Sequence, residues 1–435
     1  MAGPSLSLIH GVQQSNLPLE VMERVLSLLP LPVLCRMRTV CKEWNHIICS
    51  SSFHDCYEQT LEERGHGVCF LTRFVSSYPN KKIDRSVRGT TCFLDLEERR
   101  WYLIKGSVDQ GFETKGVAMS DGLVAEICCP VPPKEGYNHG ARTVCCIQMS
   151  DPILKMRWRL DPCPNESKLP YLVVVAADRG SRVFRVFEID NPGFREIGFH
   201  RCLWIYESST NKWRWASQKL GCLEANMLAI PHKIYPRSAV VFQQGLYAIF
   251  TAKLSLWRFL MLYDIEKDTW SMVLEDLPTA ICEELVVSSG KLFMLFWRSA
   301  SFCSSSSSMM LEMVEIQVSE KTLRSVFQIP ASTLSHSCGG QISYYEWSDF
   351  TCLALRLNSD SSCSSVVLFS KSSGKVIIYN VVSATVDILP EHPLGKSDAL
   401  NHEYWASHQN LYVRDILQKD AQSHPPVYMP KEQLI

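Results

Sequence analysis

A small all-α module followed by a much longer all-β repeat domain is the fold class that this 435-residue chain predicts. Three observations carry that expectation. Apolar residues recur at helical spacing between Asn16 and Phe53, and short alternating or continuous β-branched and aromatic runs replace that stripe almost to the C-terminus. Within the second region a motif returns at steps of 57, 55, 57, 53 and 63 residues.

In the helical region, Ser15 or Asn16 is the candidate N-cap, Pro18 suits a first turn, and Pro30 is the expected terminator. Val21, Met22, Val25, Leu26 and Leu29 recur at three- and four-residue steps as one stripe. A second pattern starts at Pro32 and carries Val33, Leu34, Met37, Val40, Cys41, Trp44, Ile47 and Ile48, with a break expected near Cys41. Arg24, Arg36, Arg38, Lys42 and Glu43 fall on the other faces, so each helix is amphipathic. Roughly 40 residues bury too small a fraction of their surface to be stable alone. The module therefore needs a partner, and a helical cap packed on the rest of the chain is the competing reading.

In the β region, five eight-residue windows align without gaps: LDLEERRW ending at Trp101, YESSTNKW at Trp213, YDIEKDTW at Trp270, IQVSEKTL at Leu323 and YNVVSATV at Val386. A sixth, around Ile147 to Trp158, needs a four-residue insertion. Each window reads as a strand ending, a polar turn and an apolar residue, usually aromatic, opening the next strand. Upstream lie second hairpins whose turns contain Ser120-Asp121-Gly122-Leu123, Gln244-Gly245-Leu246-Tyr247 and Ser289-Gly290-Lys291-Leu292, with Asp178-Arg179-Gly180 as a looser copy. Glycine in such turns permits positive φ. Two hairpins make four strands per repeat, and repeated four-stranded sheets with short edges meet the requirements of a β-propeller. A β-sandwich would leave the 57-residue step unexplained.

The charges, 44 basic against 45 acidic, nearly cancel and argue against non-specific nucleic-acid binding. A content of 46% hydrophobic and 10% aromatic residues supports an ordered core. The start MAGPSLSLIHG lacks a basic stretch and a continuous apolar run, and no apolar run long enough to span a membrane occurs, so an unsecreted, membrane-free protein is expected. The 18 cysteines are scattered and expected to be reduced, the adjacent pairs Cys128-Cys129 and Cys145-Cys146 pointing to opposite faces of their strands. Without CxxC, and with His66, His139, His200 and His232 far apart, no sequence-local zinc site is expected. GxSxG, HExxH and GxxxxGK[ST] are absent, and Glu224, Glu283, Glu284 and Asp349 read by default as solvated loop charge.

Leu17-Pro18, Leu29-Pro30, Val40-Cys41-Lys42 with Trp44, then Ser50 and Phe53 resemble the F-box family in order and spacing. That resemblance implies docking to a Skp-type adaptor and, through it, to a cullin and a RING protein. Leu17, Pro18, Val21, Met22, Leu26, Leu29, Pro30, Leu34, Val40 and Trp44 match positions that form the interface or the core beneath it. The later repeats resemble kelch repeats of the galactose-oxidase-type propeller found in plant F-box proteins, although the family's double glycine is mostly a single Gly here and two anchors are Leu323 and Val386.

The expected organisation is a flexible start at 1-14, an F-box helical module at 15-60, a kelch-type β-propeller at 67-415 and a mobile tail at 420-435. Six blades fit the repeats, with seven as the alternative, and pairing of a hairpin in Asn401 to Tyr412 with the first blade would close the ring. Serine-rich Ser304 to Ser308 and Ser359 to Ser365 read as surface loops.

The function that the resemblance implies is the substrate-recognition subunit of a Skp-cullin-F-box ubiquitin ligase in the nucleus or cytoplasm. Such a subunit has no catalytic residue, cofactor or metal of its own and contacts neither nucleic acid nor membrane. The alternatives are a non-degradative adaptor or transcriptional cofactor and, more remotely, a kelch-fold oxidase or glycosidase. The target protein is unknown; Lys81, Lys82, Arg85 and Arg88, and Tyr137 and His139 of the loop KEGYNH, are candidate contacts for it, with solvated surface as the competing reading.

Overall fold

The computed structural model describes residues 17–50, 52–53, 56–57 and 59–60, and then, between 68 and 408, the elements given below with some of the residues that connect them. Residues 1–14 and 420–435, and the candidate caps Ser15 and Asn16, lie outside the described residues. Helix α1 (Leu19–Ser27) starts at Pro18, whose extended backbone makes it the N-cap without a side-chain bond. Its carbonyl accepts from the N–H groups of Val21 and Met22 at 3.0 and 3.1 Å. Pro30 marks the end of α1 and also caps α2 (Leu31–Met37), accepting from Val33 and Leu34 at 2.9 and 3.0 Å. The chain breaks again at Cys41, where Sγ accepts the Trp44 N–H at 3.4 Å and caps α3 (Lys42–Ile48). Leu26, Leu34, Ile47, Ile48, Phe53 and Tyr57 are buried as the core of this module, with the Phe53 and Tyr57 rings stacked at 5.9 Å.

Six four-stranded antiparallel sheets follow among the described residues. The first combines β1 (Val68–Val75), β2 (Thr91–Asp95) and β3 (Arg100–Ile104) with the last strand of the chain, β24 (Glu403–His408). The second holds β4 (Phe112–Ser120), β5 (Leu123–Pro130), β6 (Cys146–Asp151) and β7 (Met156–Arg159). The third holds β8 (Leu172–Ala177), β9 (Phe184–Ile189), β10 (Leu203–Glu207) and β11 (Lys212–Trp215). The fourth runs through β12 (Ile234–Phe242), β13 (Gly245–Ala252), β14 (Arg258–Asp264) and β15 (Thr269–Leu274). The fifth contains β16 (Glu283–Ser288), β17 (Lys291–Ser299), β18 (Met309–Gln317) and β19 (Thr322–Pro330). The sixth contains β20 (Phe350–Leu357), β21 (Cys363–Ser370), β22 (Val376–Asn380) and β23 (Thr385–Ile388).

The repeated window is the outer hairpin of every sheet. Its first and last residues are Cα partners in all six: Leu94 with Trp101, Met149 with Trp158, Tyr206 with Trp213, Tyr263 with Trp270, Ile316 with Leu323 and Tyr379 with Val386. The second window therefore starts at Met149 and carries two extra residues, rather than four from Ile147. Two residues before the anchor, Arg99, Asn211, Asp268, Lys321 and Ala384 all take φ of 54 or 55°. A left-handed residue at that place lets a short polar loop rejoin the ladder. Where the window opens with Tyr and that residue is Asn or Asp, the hydroxyl donates to it, as Tyr206 does to Asn211 and Tyr263 to Asp268.

Successive sheets pack face to face. Met149 and Trp158 meet Val186 and Tyr206 between the second and third, and Phe187 and Ile205 meet Ala248 and Phe250 between the third and fourth. Ile249 and Leu260 meet Leu285 and Met294 in the next junction, and Phe293 and Met313 meet Val366 and Leu368 in the one after. Val367 and Val376 then pack against Leu94 of the first sheet, whose strands β1 and β24 lie beside β4 of the second. The innermost strands β24, β4, β8, β12, β16 and β20 neighbour one another in that order, and β20 returns to β24. Side chains tie them: Ser238 Oγ accepts the Leu285 N–H at 2.9 Å and Glu284 Oε2 the Cys352 N–H at 3.1 Å. The result is a propeller-like circuit closed by the pairing of β24 with β1, Phe70 to Val75 against Glu403 to His408.

Several expectations need correcting. In the turn before Gly245 the positive φ belongs to Gln243 at 55°, while Gly245 pairs with Phe242 inside the ladder. Glycine gives close packing there: a Cβ would run into the end of the Leu262 side chain, which would have to turn away. Gly290, at φ 71°, does take the predicted role. Ser364 and Ser365 belong to β21 rather than to a loop: Ser365 pairs with Arg356 on one side and Asn380 on the other and is buried within the sheet. A helix at Ala331–Cys338 interrupts the all-β region, its Ala331 and Leu334 completing the junction between fifth and sixth sheets. Cys129 and Cys145 form a disulfide, against the expectation of thiols throughout, because the ladder brings their Cα atoms to 4.5 Å. The turn Ser120 to Leu123 keeps its flanking pair, Ser120 with Leu123, while Asp178 to Gly180 and Ser304 to Ser308 lie outside the described residues.

Candidate docking surface

Helix α1 carries apolar side chains on two opposite faces. Leu26 points inward at 2% exposure, beside the buried Glu23 and Ser27. Val21, Val25 and Leu28 point outward at 43, 52 and 44%. At 100° per residue these two sets lie about half a turn apart, so the stripe read from the sequence is divided between core and surface. Leu17 and Leu19 at 52% and Val40 at 59% are exposed as well, Leu19 on the Leu26 side of the helix at its first turn. Among the described residues, six of the nine exposed large apolar side chains fall between Leu17 and Val40.

The expected docking residues separate accordingly. Leu17, Pro18, Val21 and Val40 are exposed; Met22, Leu29, Pro30 and Trp44 are half-buried; Leu26 and Leu34 are core. Leu19, Val25 and Leu28 join the exposed set, and Val25 was legible from its spacing. The exposed face is held rigid from behind by polar bonds. Glu23 accepts from the Ser52 and Ser50 hydroxyls at 2.5 and 3.4 Å, and Ser50 Oγ accepts the Phe53 N–H at 3.1 Å. Ser27 and Arg24 meet Thr60 Oγ1 at 3.0 and 3.1 Å, while Arg38 Nε donates to Asn45 Oδ1 at 3.0 Å. A buried carboxylate with two hydroxyl donors thus fixes α1 against the following segment.

The sheets show no comparable surface among the described residues, where only Trp215, Val382 and Ile388 are large, apolar and exposed. Of the carboxylates considered for chemistry, Glu284 binds the Cys352 N–H and Glu283 faces Arg258 at 3.6 Å and Thr251 at 3.4 Å. Burial pushes the Glu283 carboxyl up, opposed by Arg258, Arg237 and Thr251. Both lie on strand β16 and serve the sheet junctions, so neither is solvated loop charge. Burial, with the Asp161 charge adding to it, also pushes the Tyr206 phenol up to about 12. Glu224, Asp349, Lys81, Lys82, Arg85, Arg88, Tyr137 and His139 lie outside the described residues. Among those described, no three His, Cys, Asp or Glu side chains converge as ion ligands would, and no helix is long and apolar enough to cross a membrane.

The family profile described as F-box domain matches residues 14–56, the same stretch that presents the outward apolar face. The chain carries an F-box domain. Protein UNUSUAL FLORAL ORGANS of Arabidopsis thaliana is 33% identical over 119 residues, which is 26% of this chain and 26% of that protein. The chain thus spans about a quarter of the length of this curated relative in the match. A solved chain from the crystal structure of a nidogen/laminin complex aligns with 78% of this chain and 98% of its own length, at 11% identity and a TM-score of 0.42.

Proposed function

We propose that this chain is the substrate-recognition subunit of a Skp-cullin-F-box ubiquitin ligase of the nucleus or cytoplasm. The F-box helices, within residues 15–60, dock a Skp-type adaptor and through it a cullin and a RING protein. The circuit of sheets, within 67–415, is a kelch-type β-propeller of six blades that grips the target protein. The observation carrying this reading is the rigid outward apolar face of an F-box domain, with Val21, Val25 and Leu28 aligned on α1 and Val40 beside α3. Leu17, Pro18, Val21 and Val40, together with Leu19, Val25 and Leu28, contact the adaptor. Met22, Leu29, Pro30 and Trp44 support its rim, and Leu26 and Leu34 hold the core beneath. Covering each half-exposed side chain contributes about 1 kcal/mol, so six of them offset the lower range of association cost.

Support for the propeller comes from the recurrent outer hairpin, the neighbouring order of the innermost strands and the closing pair β24–β1. The receptor supplies no bond-making group; it raises the concentration of a target lysine near the conjugating enzyme.

The test is binding of purified Skp-type adaptor to the full chain. Val25→Asp with Leu28→Asp is expected to weaken it at least roughly 100-fold, two charges having to be desolvated, while leaving the thermal melt unchanged. Undiminished adaptor binding would sink the assignment. Accumulation of co-purifying proteins on proteasome blockade separates degradation from a purely architectural role.

A further inference from the structure

We propose that the second sheet carries a reversible thiol–disulfide site at Cys129 and Cys145. The two vicinal pairs face each other across the β5–β6 ladder: Cys128 is the Cα partner of Cys146, and Cys129 is bonded to Cys145 on the next rung. Adjacent strand residues point to opposite faces, so the bridge lies on the side of the core shared with the third sheet, where Cys145 packs with Ile127 and Ile147. Cys128 and Cys146 are buried, unbridged cysteines on the other side, and Cys128 Sγ donates to Gln148 Oε1 at 3.7 Å. The two pairs therefore cannot exchange partners without the strands separating.

Opening the bridge leaves its geometry intact, because the ladder from Val124–Ser150 to Cys128–Cys146 holds the two strands in place without it. The inference rests on the ligase reading in one respect: it places the chain in a reducing compartment, where a protein disulfide is characteristically transient or redox-sensing. Cys129 is 5% exposed, whereas Cys145 is half-buried, so Cys145 is the more accessible partner for attack. A thiolate of a dithiol reductant attacks Cys145 Sγ, the S–S bond breaks, and Cys129 leaves as a thiolate that takes up a proton. The reductant's second thiolate then attacks its own sulfur in the mixed disulfide and releases Cys145, which is protonated in turn. The pair gains two electrons and two protons, and the dithiol is oxidised to its cyclic disulfide. The oxidised dithiol closes the pair by the reverse route.

The experiment equilibrates the full chain in dithiothreitol buffers of graded oxidised-to-reduced ratio, followed by acid quench, differential alkylation and mass spectrometry. The ratio of bridged to open Cys129–Cys145 is expected to rise tenfold for each tenfold rise in the dithiol ratio. Cys128 and Cys146 stay thiols throughout, and opening lowers Tm by roughly 5 °C without changing the far-UV circular dichroism. Free thiols at Cys129 and Cys145 at every ratio overturn the proposal, as does a bridge that survives excess reduced dithiol in the native chain. In Cys145→Ser, Cys129 is expected to remain a single thiol; its bridging to Cys128 or Cys146 overturns the assignment. Adaptor binding is measured on the same samples. Capture without titration overturns this proposal, and titration without capture overturns the docking reading instead.

Discussion

The F-box helices and the circuit of sheets are both rich in apolar side chains, yet they direct them oppositely. In the sheets Phe293, Leu295 and Trp297 are at most 2% exposed, because each face has a neighbouring sheet to bury it. In α1, Val21, Val25 and Leu28 stay open to solvent although Leu26 of the same helix is buried. A helix in a module of this size can cover only one of its faces from within, whereas a sheet in a closed circuit has both faces covered. Rigidity is reached differently as well. The helical module relies on the Glu23, Ser50 and Ser52 network and on Ser27 with Thr60. The circuit relies on repetition of one hairpin. Trp213 Nε1 donates to the Asp161 carbonyl at 2.7 Å, and Trp101 Nε1 to the Pro390 carbonyl at 2.9 Å. Both acceptors directly follow a buried residue, Leu160 or Leu389, that exits the preceding sheet. The closing junction is thus built like an internal one.

The strongest way to break this contrast is within the helices themselves. Leu34→Ala should destabilise the module by about 2–5 kcal/mol through transfer loss and a cavity. Val25→Ala should stay within about 0.5 kcal/mol, and hydrogen exchange across residues 19–48 reads both. Equal effects would mean that the two faces are not distinct. Next in size, Trp213→Phe and Trp101→Phe each remove one half-exposed hydrogen bond and should cost about 0.5–1.5 kcal/mol in chemical denaturation. A neutral Trp101→Phe beside a costly Trp213→Phe would show that the closing junction differs from the internal one.

A smaller effect is expected at the left-handed turn residues. Ala384→Gly should stabilise by up to about 1 kcal/mol, relief of a strained φ exceeding the entropy that glycine adds to the unfolded chain. Asp268→Gly should bring no gain, since it also removes the acceptor of the Tyr263 hydroxyl. Equal gains at both sites in thermal melts would discount that bond.

The smallest effect is a pH slope. The folded carboxyl of Glu283 lies above its ordinary value of 4.5, so the native state holds its proton longer than the unfolded chain does. Its contribution to stability is present below that value and lost as pH rises through the raised one. Measured relative to wild type, Glu283→Gln should gain stability as pH increases from about 4.5 towards neutrality. A flat difference would place the wild-type carboxyl at its ordinary value.

Much of the fold was legible because the repeated window combines three local signals: an apolar strand end, a polar loop and a returning apolar anchor. Those signals locate the hairpin even at Leu323 and Val386, where tryptophan is missing. The pairing of β24 with β1 was legible for the same reason, since a four-strand repeat leaves the first sheet one strand short. The second window misled because counting from Ile147 ignores which residue faces Trp158 across the ladder. Gly245 misled because glycine serves both turns and close packing, and composition does not distinguish them. On α1, the helical period located Val21, Met22, Val25 and Leu26 but not Leu19, and did not show which neighbour each would meet.

The sequence by itself determined the order of elements and their number per repeat, because turn chemistry and apolar period are local properties of a few adjacent residues. It also determined that the first 60 residues carry more apolar surface than they can hide. Only the tertiary structure decided which surface that is. Leu26 and Val25 are adjacent and alike in chemistry, and the packing of α3 against one side of α1 makes the first core and leaves the second exposed. The same holds for Cys129 and Cys145, since a bond between them depends on register, which is settled by the whole ladder rather than by either strand.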